Sequence, residues 1–161
     1  MQWLERWKDK QIIKVVSGVR RCGKSTLFEI YKNKLLKSGV KKEQIISINF
    51  EDFAFENLTQ AKALYEYITP LLLNDEMNYI FLDEIQHCKN FEKAVDSLFI
   101  KNNCDVYITG SNAYFMSGEL ATVLSGRYVE IQMLPLSFKE FNLGLDEQYG
   151  NCLLYTSPSP R

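Results

Sequence analysis

Apolar positions follow two different rhythms along this chain. Four short runs, IIKVVSG (12–18), QIISINF (44–50), YIFLDE (79–84) and CDVYITGS (104–111), are almost continuously apolar. They are rich in β-branched and aromatic residues, and three of the four end in glycine or a polar group. Runs of this length predict strands covered on both faces. Between them the spacing becomes three and four. Leu27, Ile30, Tyr31 and Leu35 predict a helix over 26–38, closed by Gly39. Residues 57–73 also read as helical, with Pro70 kinking the helix or marking its last turn. Phe91, Ala94, Val95, Leu98 and Phe99 mark a further helix. Ser117 suits an N-cap, with Glu119 in the first turn and Gly126 past the end. Val129, Ile131 and Met133 then alternate with Glu130 and Gln132 in a fifth strand that Pro135 breaks. Ser137 and Glu140 form a capping-box pattern that opens a last helix.

Strands separated by helices predict an α/β fold, with a five-stranded, mainly parallel sheet covered on both faces. Crossovers of one hand bring the strand C-termini to a single edge. Ligands of such folds bind at that edge.

Composition narrows the class. The chain has 161 residues, 46% hydrophobic and 24% charged, which suits one globular domain with a sizeable core. A net charge of −1 argues against a broad basic surface for nucleic acid, though not against a local patch. No apolar run approaches the length of a membrane span. MQWLERWKDK carries charges where a secretory signal needs an apolar stretch, so a cytoplasmic location is expected. Cys22, Cys88, Cys104 and Cys152 lack the paired spacing of a zinc site and are expected to be free thiols.

The chemistry concentrates at the strand ends. Gly18-Val19-Arg20-Arg21-Cys22-Gly23-Lys24-Ser25 fits G-x-x-x-x-G-K-[ST] without a gap, between a buried strand and a helix. Glycines at this spacing let successive backbone N–H groups turn inward on a β-phosphate. The following helix aims its positive end at the same anion. Lys24 is then the residue for the β- and γ-phosphates, Ser25 for Mg²⁺ and Thr26 for the α-phosphate. The side chains of Arg20 and Arg21 are expected to be solvated or paired within the protein.

YIFLDE ends in two carboxylates. A carboxylate at the tip of a buried strand needs a partner. Asp83 fits Mg²⁺ or its water shell, opposite Ser25. Glu84 fits the residue that orients or deprotonates the attacking water. His87, the single histidine, reads as a surface or loop residue. ITGSNA places Ser111, and next Asn112, where a small polar residue senses a γ-phosphate; G-S-N also favours a turn on its own. LSGRY places Arg127 directly before the fifth strand, as a cation for transition-state charge in cis or across a subunit interface. Asp83, Glu84, Ser111 and Arg127 are all expected at the edge that carries the loop.

GVRRCGKST, INFED, YIFLDEIQ, YITGSNA, LSGRY and LPLSFKEF occur in this order. Together they resemble the AAA-type P-loop ATPases of bacteria and archaea. LSGRY followed by LPLSFKEF is the most specific part. The resemblance implies an AAA-like P-loop NTPase, a three-layer α/β/α sandwich that binds ATP with Mg²⁺ and hydrolyses it. Lys24, Ser25, Asp83 and Glu84 would be its core. Glu51 and Asp52 of INFED would lie on the Mg²⁺ side. In that family the ATPase domain is followed by a second, C-terminal domain. The expected division is therefore an ATPase domain over 1–144 and the start of a connection over 145–151. The last stretch, 152–161, reads CLLYTSPSPR and resembles a translated sequencing adapter, so it is expected to be non-native. A homo-oligomer through Arg127, and a DNA or protein partner held by the missing region, are the expected partnerships, with no membrane. The alternatives are a nucleotide sensor that does not hydrolyse, and a DNA-associated ATPase. A kinase or transferase is disfavoured, because no lid insertion is present. Phe50, Phe53, Phe55, Tyr65 and Tyr67 are expected in the core or in helix packing rather than as a stacking platform.

Overall fold

The computed structural model describes residues 2–111, 124 and 126–135. The elements are α1 (Gln2–Trp7), β1 (Ile13–Gly18), α2 (Lys24–Lys37), β2 (Ile45–Asn49), α3 (Ala61–Ile68), β3 (Asn78–Asp83), α4 (Phe91–Phe99), β4 (Cys104–Ser111) and β5 (Tyr128–Met133). The five strands form one parallel sheet in the order β2-β3-β4-β1-β5. β1, β3 and β4 are central and buried almost throughout, while β2 and β5 are edges with alternating exposure. The near-continuous apolar runs fall on the central strands because both of their faces are covered.

Strand alternation sorts the core into two layers. Ile13, Val15, Ile80, Leu82, Val106 and Ile108 face α3 and α4, which contribute Leu64, Ile68, Phe91, Val95 and Leu98. The intervening Val16, Tyr79, Phe81 and Tyr107 face Leu4 of α1 and Phe28, Tyr31 and Leu35 of α2. The second layer is aromatic. Phe81 stacks on Tyr107 with centroids 4.7 Å apart, and Phe28 meets Phe81 edge-on at 5.1 Å. Such pairs add about 0.5–1.5 kcal/mol each beyond the area they bury.

Several expectations are corrected. Ile30 is 51% exposed, and Phe28 takes its place on the buried face of α2. The reason is phase: Lys24 is itself buried at the first turn, and 24, 28, 31 and 35 complete one stripe. The helix expected over 57–73 is shorter. It begins at Ala61 after Gln60, whose backbone is extended, and Thr69–Leu71 continue it only as a 3-10 turn around Pro70. Phe53 is 79% exposed rather than packed, on a short turn capped by Asp52, whose carboxylate accepts the Ala54 N–H at 2.9 Å. Among the described cysteines, Cys22, Cys88 and Cys104 are free and buried. Burial pushes the thiols of Cys88 and Cys104 up to about 11. The helices expected around 117–126 and after Ser137 lie outside the described residues, apart from Leu124 and Gly126.

At the N-terminal edge of the sheet a polar network ties β1, β3 and β4 to the segment before β1. The Lys14 ammonium donates to Asp105 Oδ1 and, at 2.8 Å, to the Lys10 carbonyl. Tyr107 Oη and the Asp9 N–H donate to Asp105 Oδ2 at 2.8 and 2.9 Å. Tyr79 Oη donates to Asp9 at 2.7 Å. Burial lowers the Lys14 pKa and raises that of Asp105, each shift opposed by the partner's charge. The pair survives burial because its hydrogen-bonding groups are satisfied.

Candidate functional site

The site starts from β1. Leaving the sheet at Gly18, the chain must turn within a few residues to enter α2 at Lys24. Two positions take left-handed backbone to do so: Arg21 at φ 65° and Gly23 at φ 93°. Glycine carries that conformation without Cβ strain. Gly18 is needed for a different reason. A Cβ there would lie 2.6 Å from Cys22 Sγ and 2.7 Å from the Met133 carbonyl oxygen. The end of β5 thus packs directly against the start of the loop.

Lys24 is the first residue of α2, and its side chain is only 3% exposed. The ammonium folds back over the loop. It donates to the carbonyls of Gly18 at 3.3 Å and Val19 at 3.2 Å, and pairs with Glu84 Oε1 at 3.2 Å. Ser25 and Thr26 follow on the same turn and are exposed. A cleft of about 340 Å³ opens over them, lined by Arg20, Arg21, Gly23, Lys24, Ser25, Thr26, Glu51 and Glu84. Arg20 reaches across it to Glu51 at 3.3 Å. Both side chains are well exposed, and an ion pair of this kind contributes little.

The carboxylates come from β3, two strands away. Asp83 accepts a hydrogen bond from the Thr109 hydroxyl of β4, and that same hydroxyl accepts the Glu84 N–H at 2.9 Å. Glu84 itself lies at φ 56°, ψ 48°. Left-handed backbone costs a non-glycine residue about 1–2 kcal/mol. The turn it starts, Ile85–His87, is anchored by fully buried Ile85 and nearly buried Cys88. Gln86 on this turn donates from Nε2 to Glu84 Oε2 at 2.5 Å. His87 is exposed and stands apart from the cleft lining, as expected.

Ser111 ends β4, level with Gly18 in the pairing register, so it stands at the same edge as the loop. Asn112 lies outside the described residues. Arg127 is the one expectation that the topology overturns. It precedes Tyr128, which pairs with Ile13 at the start of β1, and its carbonyl accepts the Ile13 N–H at 2.9 Å. The loop begins at Gly18, about 17 Å farther along at 3.3 Å per residue. Because β5 runs parallel to β1, Arg127 stands at the opposite edge. Its guanidinium lies 5.7 Å from the centre of the Phe99 ring. It cannot reach the cleft of its own chain.

The remaining donor set fits a nucleoside triphosphate with a divalent cation. The loop has two glycines at positions where a side chain would clash or strain, a buried cation on its axis, and helix N–H groups behind it. Ser25 and Asp83 are the oxygen donors such a cation takes. Among the described residues no cluster of three His, Cys, Asp or Glu side chains offers another metal site. Thr109 and Gln86 were not singled out by sequence reasoning. A polar residue directly after the apolar stretch 106–108 was the available signal for Thr109, whereas nothing local marked Gln86.

Comparison with known proteins agrees with this architecture. A family model described as an AAA domain matches residues 10–142. An uncharacterized protein of Haemophilus influenzae is 46% identical over 142 residues, covering 88% of this chain and 36% of its own length. The chain therefore spans about a third of that relative. A DNA polymerase III gamma subunit-related protein of Thermotoga maritima superposes with a TM-score of 0.57 at 14% identity, over 91% of this chain and 49% of that one. PCH-2 of C. elegans gives 0.52 at 16% identity, over 91% and 45%. At these identities the two solved structures speak to the fold alone. Among the described residues no helix is long and apolar enough to cross a membrane.

Proposed function

The chain belongs to the AAA domain family, and on that premise we propose that it binds ATP with Mg²⁺ and hydrolyses it. The observation that carries the reading is the meeting of Lys24 and Glu84, 3.2 Å apart and nearly buried, on the wall of the cleft at the C-terminal edge of the sheet. Lys24 opens α2 and Glu84 follows β3, and the two meet on the cleft where a triphosphate would lie.

In this reading the backbone N–H groups from Gly18 to Thr26 hold the phosphates. Lys24 exchanges Glu84 for the β- and γ-phosphate oxygens. Ser25 and Asp83 would hold Mg²⁺, which would supply positive charge against the charge that develops on the phosphate oxygens. Glu84, freed from Lys24, orients the water and accepts its proton. Ser111 is the first choice for sensing the γ-phosphate, with Asn112 the second. Arg127, at the far edge, acts on the site of a neighbouring copy, so a homo-oligomer is part of the proposal. Hydrolysis would drive a conformational or regulatory task.

The test is Mg²⁺-dependent release of phosphate from ATP, compared between the wild type and Glu84→Gln. Equal release by the two proteins would refute hydrolysis at this site. ATP binding without any release by the wild type would favour a nucleotide sensor.

A further inference from the structure

The water-orienting carboxylate of a hydrolase must keep its orientation after its resting partner leaves. In this structure the two oxygens of Glu84 have separate partners: Oε1 takes the Lys24 ammonium and Oε2 takes the Gln86 carboxamide. Lys24 is needed elsewhere once phosphates enter. Gln86 is not, because it lies on the turn behind Glu84 and does not line the cleft. We infer that Gln86 is the positioning residue for Glu84, holding its carboxylate in the hydrolytic orientation by hydrogen-bond donation while nucleotide is bound. The inference deepens the reading of Glu84 as the residue that activates water, and rests on it.

Three features support it. Gln86 Nε2 is in direct hydrogen-bond contact with the Glu84 carboxylate, whose charge strengthens the bond. The turn that presents Gln86 has little freedom: Ile85 and Cys88 are buried on either side of it, and the Glu84 N–H is tied to Thr109. Finally, the other polar atom of the same side chain, Oε1, is buried and has no hydrogen-bond partner among the described residues. Burying an amide oxygen unpaired is unfavourable, and an apolar side chain of similar size avoids it. An amide here is therefore explained by its donor end.

Two substitutions in the full chain separate donation from shape. Gln86→Ala removes the donor and the volume. Gln86→Glu keeps the volume but presents a carboxylate, which cannot donate when ionised. Both are expected to lower kcat about tenfold, since a modest misplacement of a catalytic group costs this much or more. Dissociation constants for a non-hydrolysable ATP analogue should stay within about twofold, because phosphate contacts are untouched. In a Glu84→Gln background, Gln86→Ala should lower the residual rate no further, as residues acting through one another are not additive. Wild-type kcat in Gln86→Glu would overturn the inference and leave Gln86 a packing residue. Should Gln86→Ala fold poorly, seen as a lowered unfolding temperature, Gln86→Glu decides alone. Loss of turnover in Glu84→Gln together with full turnover in both Gln86 variants refutes this inference only. Full turnover in Glu84→Gln refutes the underlying reading and this one with it.

Discussion

Replacing Glu84 by glutamine changes one charge and almost no volume, and its consequences point in opposite directions. Lys24 and Glu84 lie 3.2 Å apart with side chains 3% and 11% exposed. The gross attraction at that distance is about 5 kcal/mol for an effective dielectric near 20. Most of it offsets desolvation, and glutamine still offers a neutral oxygen to the ammonium. Charge-assisted bonds are about twice as strong as neutral ones, so the net loss is about 1–1.5 kcal/mol. That loss falls on the nucleotide-free protein, because Lys24 must leave Glu84 before it meets phosphate. ATP should therefore bind about tenfold more tightly to Glu84→Gln, since 1.4 kcal/mol is one decade. The nucleotide-free variant should unfold about 4 °C lower, at roughly 2–4 °C per kcal/mol for a chain of this size. Turnover should fall at least about 100-fold, the usual contribution of a general base. Titration calorimetry with ATP and Mg²⁺, thermal unfolding without nucleotide, and steady-state phosphate release measure the three effects. Unchanged or weaker ATP affinity refutes the view that the resting ion pair competes with nucleotide. Turnover within about threefold of wild type refutes the assignment of Glu84.

Three further outcomes are expected. Gly18→Ala forces a Cβ to within 2.7 Å of the Met133 carbonyl, so backbone must move; stability should fall by about 1–3 kcal/mol and ATP binding should weaken, read by unfolding and calorimetry. Adding Cys22→Ala should not rescue it, and a rescue would show that Cys22, not β5, sets the limit. Asp105→Asn leaves the Lys14 ammonium buried without its counter-charge and should cost about 3–5 kcal/mol in chemical denaturation, whereas the double change Lys14→Met, Asp105→Leu should recover only part of it, because Tyr107 Oη and the Asp9 N–H lose their acceptor. A single variant as stable as the wild type would contradict the burial of that charge. Arg127→Ala should lose about 10³-fold or more in turnover with ATP affinity kept, and mixing it with Glu84→Gln should restore phosphate release, because each supplies what the other lacks. No recovery on mixing, with Arg127→Ala inactive alone, would remove the intersubunit role.

Local chemistry was legible in the chain because it is written in consecutive residues. The loop from Gly18 to Ser25 needs its glycines and lysine at fixed spacing, so the motif states the phosphate-cradle geometry before any fold is known. The central strands were equally legible, since a strand buried on both faces must be apolar throughout, and their ends were read to within one residue at β1, β3 and β4. What the pattern misjudged was phase and length. A helix whose first turn buries a lysine does not announce its stripe by apolar residues alone, so the apolar spacing points to Ile30 where Phe28 is the buried residue.

Which edge each strand end occupies belongs to tertiary structure. Ser111 stands beside Gly18 because β4 pairs with β1, and Arg127 stands away from the loop because a residue before a parallel strand enters at the other edge. Sequence order places Ser111 after its strand and Arg127 before its own, and the parallel pairing of β5 with β1 then sets them at opposite edges. The pairs Lys24–Glu84, Thr109–Asp83 and Gln86–Glu84 likewise depend on the left-handed turn at Glu84 and on the adjacency of β3 and β4. The sequence by itself determined the residues that can handle phosphate, cation and water. The sheet topology decided which of them share one site, because distances across strands are set by pairing order and not by separation along the chain.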